Sequence, residues 1–158
     1  MPVLDSGVTA RADVRPADTN DIDIHYVEMT RATLHVAMAI SRAVSTRGSR
    51  PEIRTLAREV LAAQTTQLNE ITSCLREWEL AAPLGPYPDA IELRDLEGDK
   101  LDATFIEHLT TYAETSKENA RLEVERGENR RARRIAETSI PAHCLQLAAV
   151  RRLARALR

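Results

Sequence analysis

The stretch Thr55–Leu68, TLAREVLAAQTTQL, comes back as Arg134–Leu147, RIAETSIPAHCLQL. Around each, core-type positions step alternately by four and three residues. In the first copy they are Ala57, Leu61, Gln64, Leu68, Ile71, Leu75 and Trp78; in the second, Ala136, Ile140, His143, Leu147, Val150, Ala154 and Leu157. That alternation is the seam of a helix packed into a bundle. Each seam carries one polar residue where an apolar one is expected, Gln64 in the first and His143 in the second.

Another helix precedes each seam-bearing helix, which makes four. The first is predicted from Asp18–Asn20, where three residues offer capping oxygens, to about Thr46. The second starts at Ser49 with Pro51 in its first turn and runs to about Glu79. The third covers about Leu101 to Arg126, with Gly127 beyond its end, and the fourth runs from Asn129 to the C-terminus with Pro141 expected to kink it. The second and fourth helices align with Gly48 on Gly127, Ala57 on Ala136, Gln64 on His143 and Gln67 on Gln146. Upstream, Ile24 is set against Phe105 after a two-residue gap. A helical hairpin cannot bury its own seam, so two make an all-α, ferritin-like four-helix bundle. The domain is 19–158, with hairpins at 19–79 and 101–158 after a tail at 1–18. The linker, 80–100, is long and acidic and contains three prolines. It favours a crossover along the bundle, with a short helix at Ala90–Leu96.

Composition agrees. The chain is 43% hydrophobic and 29% charged but only 3% aromatic, with 5 Gly, which argues against a β-sandwich with many tight turns. Met1–Pro16 lacks a basic segment followed by an apolar one, and no apolar run has the length of a membrane span, so the expectation is a soluble, cytoplasmic chain. Cys74 and Cys144 form no zinc spacing and read as thiols in a reducing compartment. The arginines of the fourth helix read as a solvated face. The net charge of −2 argues against nucleic acid as the partner. An apolar outer stripe on the first helix leaves room for a homodimer.

A di-iron bundle needs Glu-x-x-His on two helices. The residues three before His25, His35, His108 and His143 are Ile22, Ala32, Phe105 and Ile140, so that chemistry has no ligands. A mononuclear metal site from His35, His143 and Glu28, softened by Cys144 or Met38, is one arrangement open to the chain. The other is a metal-free polar centre. Glu28, Arg31 and His35 follow one another along the first helix, and Gln64, Tyr112 and His143 stand on seams of the other three. Such groups have matching donors and acceptors, so they can fix register, line a small-molecule pocket or support acid–base chemistry.

Asp21, Ile24, Met38, Ala57 and Gln64, and again Asp102 and Phe105, carry a resemblance to domain-of-unknown-function family 305 (DUF305), a ferritin-like four-helix family. The Ile140-Pro141…His143 run is also similar to a second ferritin-like family of unknown function. The first resemblance implies an exported, metal-associated protein that holds copper through His–His pairs. In this sequence Arg31–Ala32 and Tyr112–Ala113 are read at the positions of those pairs, and Gln67 and Gln146 where a glutamate is usual. The expected protein is therefore a metal-ligand-depleted, cofactor-free relative. It binds a small molecule or a protein partner through Glu28, Arg31, His35, Gln64, Gln67, Tyr112, His143 and Gln146. The alternative is a copper- or iron-binding protein with a rearranged histidine site.

Overall fold

A computed structural model describes residues 16–80, 93 and 95–157. These contain four long α-helices: α1 (Asp21–Arg47), α2 (Pro51–Glu77), α3 (Gly98–Arg126) and α4 (Arg130–Ala156). The expected short helix at Ala90–Leu96 falls mostly outside the described residues. No described helix is long and apolar enough to cross a membrane. Helix α4 continues through Pro141 as one element.

The hairpin partners α1/α2 and α3/α4 pack most extensively, followed by α1/α3 and then α2/α4. Asp102, at the start of α3, touches the α1–α2 turn, whereas α2 ends at the far end of the bundle. The connection between α2 and α3 therefore joins opposite ends, a span of about 40 Å for a 27-residue helix. The crossover inferred from the long linker is what the helix ends require.

Two apolar clusters fill the bundle. One, towards the α1–α2 turn, holds Leu34, Val44, Ile53, Val60, Leu101, Phe105, Leu109 and Leu147. The other holds Tyr26, Val27, Ile71, Leu75, Trp78, Ala120, Ile135 and Ala136. Each fully buried large side chain contributes about 1.5–3 kcal/mol. On α1, Val27, Leu34 and Met38 are buried, while Met29 and Val36 are each 44% exposed. Gln64 on α2, and Ser139 and His143 on α4, fall in chain order between the two clusters on those helices.

Two helix starts match the sequence expectation and one departs from it. Asn20 caps α1 in a reciprocal box with Asp23: the Asn20 N–H donates to the Asp23 carboxylate at 2.8 Å and the Asp23 N–H to the Asn20 side-chain oxygen at 3.0 Å. Asn129 caps α4. Ser49 does not cap α2: the carboxylate of Asp102 instead accepts the N–H groups of Ser49 (2.9 Å) and Arg50 (3.0 Å). At the other end the Asp23 carboxylate accepts from Glu128 (3.1 Å) and Asn129 (3.0 Å). Asp23 and Asp102 are thus equivalent, as are Tyr26 and Phe105, at the 79-residue offset that relates Gly48 to Gly127 and α2 to α4. The two-residue gap that set Ile24 against Phe105 and Asp21 against Asp102 is not needed. In this register the partner of Tyr112–Ala113 is Thr33–Leu34, not Arg31–Ala32.

Candidate functional site

The polar centre is built mainly from α2 and α4. Gln64 is buried because its seam position points into the bundle, and its Oε1 accepts from the Ser41 hydroxyl at 3.0 Å. The buried Tyr112 ring meets His143 edge-on, with centroids 5.7 Å apart. Burial raises the Tyr112 phenol, whose hydroxyl faces Gln64 and Ser116. His143 Nδ1 lies 3.4 Å from Gln146 Oε1. An amide oxygen only accepts, so this contact puts the ring proton on Nδ1 and leaves Nε2 as an acceptor. Burial lowers the His143 pKa, against the hydrogen bond to Gln146, and favours the neutral ring. Tyr26 closes the far side; burial raises its phenol, and its hydroxyl faces Ser139, Thr30 and Gln67.

A groove of about 240 Å³ opens between α2 and α4 over this centre; Gln64, Gln67, Ser139, His143 and Gln146, with Thr66 and Thr138, are its polar lining, and Glu70 is the one charged side chain among the described residues that line it. Through Ala63, Ala142 and Gln146 it joins a shallower groove of about 370 Å³, lined by Leu56, Val60, Leu145 and Ala149 and edged by Glu59 and Arg152. The α2/α4 contact is the least extensive of the neighbouring pairs, and small residues on both helices leave the opening. The structure thus brings Gln64, Gln67, His143 and Gln146 to one groove, with Tyr112 behind them. It does not bring the α1 residues there: Glu28 is exposed, and Arg31 and His35 are half-buried outside the groove lining. Ser41 and Ser139, absent from the sequence-derived set, complete the centre; small hydroxyls at helical spacing gave no signal for it.

Among the described residues no group of three or more His, Cys, Asp or Glu is placed to hold an ion. Leu34 and Ala113, the second members of the paired positions, are fully buried in the apolar core. Cys144 is exposed, while Cys74 is buried among α1, α2 and α4 residues, where desolvation pushes its thiol up to about 11.

No family model matches the sequence, and no curated protein does. Solved structures do. The chain is similar to a DUF305 fragment from Deinococcus radiodurans (TM-score 0.72, 12% identity, 85% of this chain and 96% of that one). It is similar to a putative secreted DUF305 protein from Streptomyces coelicolor (TM-score 0.73, 19% identity, 87% and 92%). It is also similar to CopM in its Cu(I)-bound form (TM-score 0.74, 15% identity, 85% and 96%). The resemblance read from the sequence is therefore borne out as a fold: this chain is an all-α four-helix bundle of the kind seen in DUF305 proteins.

Proposed function

We propose that this chain is a DUF305 relative that has given up the copper role and binds a small molecule or a protein segment in the α2/α4 groove. The observation that carries this reading is the contrast between paired positions and groove. Thr33–Leu34 and Tyr112–Ala113 offer no imidazole or thioether to a soft cation. The groove, by contrast, gathers six uncharged polar side chains around a neutral histidine. With Glu70 the only charge among its described lining residues, that lining suits a neutral or cationic group better than an anion, and the apolar extension past Ala63 and Ala142 suits an adjoining hydrophobic part.

The likeness to CopM supports a second reading, a rearranged metal site on His35 and His143. The two are separated by titrating untagged protein with Cu(I) under reducing, oxygen-free conditions while screening uncharged and cationic amphiphiles by thermal shift. The groove reading expects no stoichiometric copper, together with stabilising compounds whose effect is lost in Gln64→Leu and Gln146→Ala. Stoichiometric Cu(I) binding abolished by His143→Ala would replace it with the metal reading.

A further inference from the structure

Glu123 lies in the last turn of α3 and is completely buried. No N–H or O–H of the described residues reaches either of its carboxyl oxygens. Its carboxyl lies instead within hydrogen-bonding reach of the Asp23 carboxyl, which already accepts the backbone N–H groups of Asn20, Glu128 and Asn129. The packing is close: a Cβ built on Gly127 would run into the Glu123 carboxyl and come within 2.6 Å of Asp23 Oδ1. Two carboxylates are both acceptors, so this contact is a hydrogen bond only when one of them keeps a proton. Asp23 faces three N–H donors that favour its charged form, so the proton belongs on Glu123. At the other turn the residue equivalent to Glu123 is Val44, so that position gives Asp102 no carboxyl neighbour.

We propose that Asp23 and Glu123 form a proton-sharing carboxyl pair, a protonation switch in which one proton, donated by Glu123 to Asp23, fastens the α3–α4 turn to the start of α1. Loss of that proton to solvent leaves two like charges buried against each other and loosens the turn. The groups facing the pair do not supply a substitute charge. Tyr26 on α1 and Cys74 on α2 are buried and stay neutral, their ionisation pushed up by desolvation. From α4 only Arg133 attracts a charge on Glu123, and it is exposed. Arg131 and Glu77 bear on Cys74 and pair with each other at the surface. Burial, with the contact to Asp23 second, pushes the Glu123 carboxyl up to about 9.

Carboxyl-carbon NMR on the full chain tests this directly, combined with amide exchange at both turns between about pH 5 and 10. In the wild type, Glu123 is expected to titrate far above the usual glutamate range. Across the same interval Glu128 and Asn129 should lose about tenfold in protection, corrected for intrinsic exchange, while Ser49 and Arg50 lose none. In Glu123→Gln, whose amide can donate to Asp23 at any pH, Glu128 and Asn129 should keep their protection throughout. The proposal is overturned if Glu123 titrates in the ordinary glutamate range. It is equally overturned if both turns lose protection together, or if Glu123→Gln behaves as the wild type. The carboxyl titration needs no variant, so it decides the matter even if Glu123→Gln does not fold.

Discussion

The two turns that close the hairpins are the same device built two ways. Each has a glycine that ends a helix and a buried aspartate, from the start of the neighbouring hairpin, that accepts the amides opening the next helix. At Gly48 the aspartate is Asp102, backed by Val44. At Gly127 it is Asp23, backed by Glu123. The glycines are there for space: a Cβ on Gly48 would come within 2.8 Å of the Val44 carbonyl and 2.9 Å of Asp102 Oδ1. The difference between the ends is one carboxyl group, Glu123 in place of Val44. Two turns of the same backbone design can thus differ in whether a second, proton-holding carboxyl stands behind the aspartate.

The largest expected effect comes from removing the aspartates themselves. Asp23→Ala leaves three N–H groups and Glu123 without their acceptor and should cost about 4 kcal/mol in denaturant unfolding. Asp102→Ala strands two N–H groups and should cost about 3 kcal/mol. An Asp102→Ala loss below about 1 kcal/mol would break the equivalence of the two turns.

Val44→Glu moves the carboxyl to the other end. The variant is expected to lose about 3 kcal/mol at pH 8 and less towards pH 5, where protonation relieves the buried charge. A loss that does not vary with pH would show that a second carboxyl alone does not make a titrating joint.

Glu123→Gln should differ from the wild type mainly in its pH dependence. The folded pKa of Glu123, about 9, lies above its unfolded value. Between the two the native state holds a proton that the unfolded chain has released, so wild-type stability falls as pH rises. The variant lacks this slope and gains on the wild type by up to about 1.4 kcal/mol per pH unit through that window. Asp23 acts with the opposite sign. Burial raises its pKa, but hydrogen bonds from Glu123 and the backbone outweigh this and leave it lowered. Its contribution is present above the ordinary aspartate range and disappears as pH falls into acid. Thermal melts of both proteins from pH 5 to about 9 measure the difference.

The smallest effect is at the surface. Arg131 joins α4 to α2 through Glu77 and Ser73, on a half-exposed face. Arg131→Ala should cost no more than about 1 kcal/mol and less in high salt. A larger loss would give α2/α4 pairing at this end a weight that the comparison of the turns leaves out.

Much of the fold was legible because helical periodicity is written locally. The seams of α2 and α4 could be counted, and Gln64 and His143 stood out as polar residues in core positions; both are buried. Helix α1 was harder. It carries apolar residues on most sides, and only packing against α2 and α3 chose Val27, Leu34 and Met38 over Met29 and Val36. For the same reason Glu28 could not be placed from spacing; it turns outward, while Arg31 and His35 on the same helix are half-buried. The first-helix register was missed because Asp21 and Asp23 are alternative matches to Asp102, and the choice rests on amides about a hundred residues away.

By itself the sequence determined an all-α bundle of two hairpins, the seams that hold it together and the two polar residues at its middle. Those follow from spacing along one helix at a time. Tertiary structure decided which carboxyls are buried. Glu123 stands in RLEVERGENR, among residues that read as solvated, and becomes a proton site only because Asp23 and Gly127 converge on it. A charged side chain's cost or use depends on the dielectric and the partners around it, and those come from distant parts of the chain.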